Sequence, residues 1–425
     1  MKSTRIDIKK LISFVRKNSP FYRNLYKSLP ARVQLRDLPV LPVEDFWKAN
    51  GLKDNKVLTG PMKDGVVFKS GGSTGNPKFS VFSKREWHTF NVVFGKGIAQ
   101  AGVSSADRVV NLFYVGQLYG SFLFINKSLE EAPVDVLQLP VAGSTDFEET
   151  TQIISDFKAN VLAGVPTTIM NLAEYIRANK KADQIIGIKK ILFGGEPAYP
   201  DQRERLQEIF PGVKILSIGY ASTDAGLLGY VDKTCRPGEH RVFGYDTVVE
   251  ILDEDTHQPM TEVKKEGLVV VTNLTRTLMP IIRYPAGDKG MWLEPKNKRD
   301  RKFMLMGRSE EAARIGLIKL YVQDVRDALK NFRDRLGITD FQLIVYHRER
   351  LDGLIVRIAT QKGEKFSQED KAVVAEIHKM RPLYEEFVLD SKVHPIEVQW
   401  VENHELEVNT RTGKMRRVID KRLNP

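Results

Sequence analysis

Residues 190–224 read KILFGGEPAYPDQRERLQEIFPGVKILSIGYASTD. The stretch 190–193 is a short apolar run of strand type that stops at Gly194-Gly195-Glu196. Residues 200–209 open on a proline and read as a helix, and 213–218 is a second strand, which stops at Gly219. A strand, a helix and a strand in strict succession imply a crossover unit of a parallel sheet. Working outward toward the N-terminus, 109–113 reads as a strand, 118–129 as a helix and 134–137 as a strand. A helix follows at 147–157, a short strand opens at 161–162, and 167–177 is a helix. The chain from about residue 84 to 219 is therefore expected to be α/β with a mostly parallel sheet, and such sheets hold ligands at the carboxyl ends of their strands.

After residue 240 the texture changes. Short strands at 248–252, 268–272, 290–293 and 303–306, separated by turn residues, predict a smaller antiparallel subdomain. From about residue 312 a helix (322–332), two strands (341–346, 354–358) around the polar turn 350–353, a helix (368–380) and a strand (396–401) predict a βαββαβ-like small domain. No internal repeat and no low-complexity tract interrupts the chain.

At 425 residues, 42% apolar and 28% charged, the chain has the composition of a soluble globular protein of two or three domains. No apolar run reaches the roughly 18 residues of a membrane span, and the first 17 residues read as an amphipathic helix rather than a signal peptide. The single Cys235 permits neither an internal disulfide nor a cysteine-rich zinc site, and the default compartment is cytoplasmic. The net charge of +11 is spread along the chain and not clustered with aromatics, so nucleic acid is not the expected partner. A basic proteome or attraction of small anionic substrates accounts for it.

Six short stretches carry chemistry. In the first, 68–78, Gly71, Gly72 and Gly75 let the backbone approach a polyanion, Ser70, Ser73 and Thr74 offer hydroxyls, and Lys78 offers charge. It is not a Walker loop. Residues 71–75 match the G-x-S-x-G of a hydrolase nucleophile elbow, but that needs a helix directly afterwards, whereas Pro77 and the alternation of Phe79 and Val81 predict a strand. A serine hydrolase built on Ser73 and a plain surface turn remain the rival readings. Gly194-Gly195-Glu196 allows close approach of a flat ligand, or is an ordinary turn.

The third stretch, Gly219-Tyr220-Ala221-Ser222-Thr223-Asp224, offers an aromatic ring, a hydroxyl and a carboxylate able to hold Mg²⁺; alternatively Ser222 or Thr223 caps a helix. Asp288, after Gly287, is suited to paired ribose hydroxyls or sits in a tight turn between strands. Gly307-Arg308-Ser309-Glu310-Glu311 marks the change of texture, and Lys414 follows Gly413 in a basic tail where a solvated surface lysine is the ordinary reading.

These stretches, in this order, resemble the adenylate-forming superfamily of acyl-CoA synthetases, adenylation domains and luciferases. The likeness is strongest to its phenylacetate–CoA ligase branch, which is similar also at Ser19-Pro20-Phe21-Tyr22, at 37–42 and at 413–420. The resemblance implies an N-terminal adenylation domain over 1–308, with parallel sheets and an antiparallel subdomain, and a mobile α+β domain over 309–425 that turns about Glu310. It implies that 70–78 hold the ATP phosphates, that Gly194, Gly195, Glu196, Gly219, Tyr220, Ala221 and Ser222 form the nucleotide site, and that Thr223 contacts phosphate. By the same likeness Asp224 would coordinate Mg²⁺, Asp288 with Arg308 would bind the ribose, and Lys414 would bond the carboxylate and the α-phosphate.

The implied activity is ATP-dependent conversion of a carboxylic acid to an acyl-adenylate, followed by transfer to CoA, or else to an acyl carrier protein or an amine. Tyr114, Tyr119, Phe193 and Ala221, at strand ends, are candidate walls for an aromatic or other hydrophobic acid. Three departures from the branch stand out. Asp224 replaces a glutamate, and Pro285-Ala286 replace Arg-Thr; counting from Gly307 without a gap, Gly316-Leu317 occupy the places of an Arg-Gly pair that lines the thiol approach, or else the glycine is displaced by one residue and nothing is lost.

Overall fold

In the computed structural model the chain divides into two compact units, Met1–Ser309 and Glu310–Pro425. The structure describes residues 5–70, 78–179, 187–308, 312–316, 318–349, 351–360, 363–410 and 412–422.

The first unit contains the expected parallel sheet. Its five strands lie in the spatial order Leu137–Pro140, Arg108–Leu112, Val161–Gly164, Lys190–Phe193, Lys214–Ser217, all parallel. In chain order this is 2-1-3-4-5, a doubly wound arrangement whose switch point lies between Arg108–Leu112 and Val161–Gly164. Val161–Gly164 is buried along its whole length, as a strand covered on both faces must be. The crossover helices start where local chemistry lets them. Asp146 caps Phe147–Asp156, prolines open Pro166–Ala178 and Pro200–Ile209, and Ser83 with Glu86 forms a reciprocal capping box on Lys84–Gln100.

Two boundaries shift from the sequence reading. The helix expected from 118 begins at Ser121, because Gly116, Gln117 and Leu118 all have positive φ and Gly116 bridges Tyr119 in a turn. The strand expected at 134–137 is Leu137–Pro140, because Asp135 turns its carbonyl to the Ala106 N–H and pairing starts only at Leu137.

A second, seven-stranded antiparallel sheet runs Thr247–Leu252, Glu266–Asn273, Tyr284–Trp292, Lys302–Arg308, Glu239–Val242, Gly226–Tyr230, Tyr220–Ser222. It takes in all four expected strands and three unexpected ones. No helix follows Gly219: Tyr220–Ser222 hairpins back onto Gly226–Tyr230, and the Ser222 hydroxyl accepts the Ala225 N–H within the turn. The helix-cap alternative is thereby removed. Asp288 is likewise not in a turn but inside Tyr284–Trp292, at a bulge beside Gly287. A two-stranded hairpin, Val66–Ser70 with Lys78–Phe82, completes the β structure of this unit. The helices Ile8–Asn18, Pro20–Leu25 and Val43–Ala49 pack apolar residues such as Leu11, Tyr22 and Phe46 into the core around the antiparallel sheet.

In the second unit a hairpin, Ala312–Ile315 with Ile318–Tyr321, precedes the helix Val322–Leu329. The helix expected to 332 ends in a 3-10 turn, Lys330–Phe332, and Gly337 closes the following short helix in the left-handed region. The sheet order is Glu397–Glu402, Leu351–Thr360, Ile338–Arg348, Val418–Asp420, with an antiparallel central pair and parallel edges. Asp370–Met380 and Pro382–Leu389 cover it; the latter helix was not expected.

Candidate active site

The hairpin Val66–Ser70/Lys78–Phe82 pairs Ser70 with Lys78, so the first stretch enters and leaves through adjacent strands. Gly71, Gly72, Ser73, Thr74 and Gly75 lie outside the described residues. Lys78–Phe82 is the strand that the alternation of Phe79 and Val81 predicts, where a nucleophile elbow would require a helix. The Lys78 amine lies 5.5 Å from the centre of the Trp47 ring, a cation–π distance. Trp47 in turn donates to the Tyr284 hydroxyl at 3.3 Å.

Asp224 sits against this hairpin. Burial pushes its carboxyl above the usual carboxylate range, and the Ser70 hydroxyl, Lys78, Arg276 and the Ser80 hydroxyl pull it back in part. Its Oδ1, the hydroxyls of Ser70 and Ser80 and the Arg276 Nε are all buried, yet among the described residues none makes a hydrogen bond of good geometry. Buried polar atoms without partners are rare and costly. Four of them lie on residues grouped around Asp224, beside Lys78. The Thr223 hydroxyl has no hydrogen-bond partner among the described residues and stands beside this cluster in sequence.

Gly219 has φ +129°, and a Cβ there would fall 2.8 Å from the Phe94 ring, so only glycine carries the chain from the parallel sheet into Tyr220–Ser222. The Tyr220 hydroxyl donates to the Asp288 carboxylate, joining the third and fourth stretches across 68 residues. Asp288 pairs in register with Arg308, whose side chain lies outside the described residues.

The Glu196 carboxylate accepts the Thr167 hydroxyl at 2.7 Å and the Thr167 N–H at 3.3 Å, at the start of Pro166–Ala178. It therefore ties two strand ends together. Gly194 allows the close approach of Ile218, which a Cβ would meet at 2.8 Å; Gly195 takes a positive φ.

At the switch point the Tyr114 hydroxyl accepts from Thr168 at 3.3 Å, and a Cβ on Gly143 would strike the Tyr114 ring at 2.4 Å. The loop bearing Tyr119 is bound to the Val66–Ser70/Lys78–Phe82 hairpin by Lys69 N–H to Leu118 O, 2.9 Å. Tyr114 is thus tied to the start of Pro166–Ala178 and the Tyr119 loop to the hairpin, and Ala221 lies on Tyr220–Ser222. Phe193 stands apart. It is buried in the layer between sheet and helices, with the Arg203 guanidinium 5.0 Å over its ring.

In the second unit Lys414 lies on a tight turn. Asn409 receives the N–H groups of Thr412 and Gly413, and Asn409 N–H donates to Lys414 O at 2.8 Å. Gly413 takes φ +66°. Gln342, fully buried, clamps both arms of this turn: its amide donates to Glu407 O at 2.9 Å and Arg416 O at 2.6 Å, and its carbonyl accepts Glu407 N–H. Arg417 is locked onto Asp340 and Phe341 O. Among the described residues the Lys414 amine makes no hydrogen bond or ion pair. Glu310 and Leu317 lie outside the described residues. Gly316 forms the hairpin turn at φ +56°, with its N–H on Asp352.

Sequence reading missed Arg276, Ser80 and Gln342. No local signal marks them, since each reaches its partners from elements tens to hundreds of residues away.

Residues 58–277 match the family model described as AMP-binding enzyme. The chain is 26% identical to a phenylacetate–coenzyme A ligase of Thermus thermophilus, over 98% of this chain and 95% of that relative. It is 24% identical to an indoleacetate–lysine synthetase of Pseudomonas savastanoi, over 74% of each. Its fold is similar to that of 2-hydroxyisobutyryl-CoA ligase, crystallised in the postadenylation state with the acyl-AMP. The TM-score there is 0.77 at 18% identity, covering 97% of this chain and 87% of that one. The family model spans more than half of the 425 residues and takes in the hairpin, the parallel sheet and the Thr223–Asp224 turn, and the chain belongs to the AMP-binding enzyme family.

Proposed function

We propose that this protein activates a carboxylic acid with ATP to an enzyme-bound acyl-adenylate and passes the acyl group to CoA, releasing AMP and pyrophosphate. The observation that carries the reading is the convergence of Ser70, Lys78, Ser80 and Asp224 around orphaned buried oxygens, in a chain of this family. The near full-length similarity to a ligase named for coenzyme A supports CoA as acceptor.

In the first half-reaction an oxygen of the substrate carboxylate attacks the α-phosphorus, and the bond to the bridging oxygen breaks as pyrophosphate leaves. The acid is already ionised at neutral pH, so no general base is needed. Negative charge grows on the phosphoryl oxygens, and cations and N–H donors held in place lower that barrier. Lys78 and the residues of 70–78 serve the phosphates, Thr223 the α-phosphate, Tyr220 and Asp288 the nucleoside, and Lys414 the carboxylate and α-phosphate. A magnesium ion fits the unpartnered Oδ1 of Asp224, since Mg²⁺ is commonly held by one or two carboxylates plus phosphate oxygens. It would supply charge neutralisation to the leaving pyrophosphate. The acid's side chain is assigned to the switch-point crevice beside Tyr114 and Tyr119, which suits an aromatic or other hydrophobic group.

A second reading keeps the adenylate and changes the acceptor to an amine or a carrier protein. The similarity to a lysine-conjugating synthetase and the leucine at 317 favour it. Pyrophosphate exchange across a panel of carboxylic acids, followed by thioester counted per pyrophosphate with and without CoA, decides between them. A ratio near one establishes CoA. A ratio near zero, with acid-dependent exchange intact, establishes the second reading; no exchange with any acid overturns both.

A further inference from the structure

Arg276 is the largest fully buried side chain among the described residues, 1% exposed, and no motif contains it. Burial draws its guanidinium down to about 10, against the pull of Glu86, Asp224, Tyr22 and Tyr284. A cation in such a place is costly unless its bonds are made and its charge is met. Its bonds go to two places. Nη1 donates to the backbone carbonyl of Asp224 at 2.8 Å, and Nη2 donates to the carbonyl of Val81 at 3.2 Å. The first carbonyl belongs to the turn that carries Thr223 and Asp224, the second to the strand that leaves the phosphate-side stretch at Lys78. The guanidinium plane lies 4.1 Å over the Phe82 ring.

Arg276 is itself held from behind. Asn273 Oδ1 accepts the backbone N–H groups of Thr275 and Arg276, and the Glu86 carboxylate accepts those of Thr277 and Leu278. A planar fork is the side chain that can hold two diverging carbonyls at a fixed spacing; an ammonium group cannot enforce that geometry.

We infer that Arg276 is a positioning residue for adenylation: it sets the spacing between the Thr223–Asp224 turn and the Lys78 strand, and so aligns the α-phosphorus for attack. This rests on the adenylation reading above. Transfer of the acyl group from a finished adenylate needs neither pyrophosphate nor its counter-charges, so the second half-reaction does not depend on that spacing. A packing role alone would depress both half-reactions together.

The test compares Arg276→Lys with wild type in two assays on the full chain: acid-dependent pyrophosphate exchange, and thioester formation from a pre-made acyl-adenylate and CoA, or amide formation with an amine acceptor. Exchange should fall by roughly 10- to 100-fold, the scale of a small misplacement of reacting groups. The fall should lie in kcat more than in KM for ATP, with transfer from the adenylate within about twofold of wild type. Phe82→Leu removes the ring beneath the guanidinium and keeps both its carbonyl bonds; it should slow exchange alone, by roughly threefold. It carries the test if Arg276→Lys does not fold. Arg276→Lys should also be non-additive with Asp224→Asn in exchange, because both act through one turn. Equal losses in the two half-reactions, wild-type exchange in both variants, or full additivity would overturn the inference. Absence of exchange in the wild type with every acid would overturn the adenylation reading and this inference with it.

Discussion

Lys414 is a residue whose environment argues for chemistry rather than structure. Its turn is clamped by Gln342 and Arg417, while its own amine is left without a partner among the described residues. Lys414→Ala should lower pyrophosphate exchange by roughly two to three orders of magnitude, the scale of one transition-state electrostatic contact, and leave acyl transfer from a pre-made adenylate largely intact. Rapid-quench assays of the separate half-reactions measure this. Asp288 is the second such residue. Its carboxylate is oriented by the Tyr220 hydroxyl, and ribose binding is the role proposed for it. Asp288→Ala should raise KM for ATP about tenfold or more, the loss of one charged hydrogen bond, and 2′-deoxy-ATP should be a poor substrate of the wild type. Equal use of ATP and 2′-deoxy-ATP would remove the ribose assignment.

Among the elements, the junction at Gly219 has little freedom. The parallel strand Lys214–Ser217 ends two residues before it, and the next residue enters the antiparallel sheet. The turn needs φ +129° and contact with Phe94. Gly219→Ala should therefore destabilise the fold by about 1–3 kcal/mol through backbone strain, beyond any effect on the nucleotide. Chemical denaturation checks it; an unchanged midpoint would mean that Tyr220 can be placed by another route. The same junction explains why a helix start at Ser222 or Thr223 was a reasonable reading. Capping residues at a strand end are the local signature of both outcomes, and only pairing with Gly226–Tyr230 selects the hairpin.

Two buried groups of the first unit make opposed contributions to stability in the acid range. His240 is buried beside Ser217, Tyr220 and Phe303, and burial pushes it down to about 4. Between pH 4 and 6.5 the unfolded chain binds a proton there that the folded one does not, so stability rises with pH across that window. Burial pushes Asp246 the other way, up to about 6. Between its ordinary value and pH 6 the folded chain holds the extra proton, and stability falls as pH rises. His240→Gln should flatten the loss of stability below pH 6.5, and Asp246→Asn should steepen the rise across pH 4–6; thermal melts against pH give both slopes. An unaltered profile in His240→Gln would mean that the imidazole is hydrated.

By itself the sequence determined what period and local chemistry can encode. Strand and helix alternation in 109–218 produced the parallel sheet, with Lys190–Phe193 and Pro200–Ile209 found at their true bounds. Gly219, Tyr220 and Asp288 were legible as candidate site residues because glycine where the chain turns sharply, and polar groups after it, are local signals. What the tertiary structure alone decided is which distant groups meet. Arg276 reaches Val81 across 195 residues, and Glu86 reaches Thr277 across 191. Tyr220, which the sequence offers only as an aromatic ring, gives its hydroxyl to Asp288, 68 residues away. The physical reason is that hydrogen bonding and burial depend on three-dimensional neighbours, and a residue's type limits the bonds it can make without naming the partner.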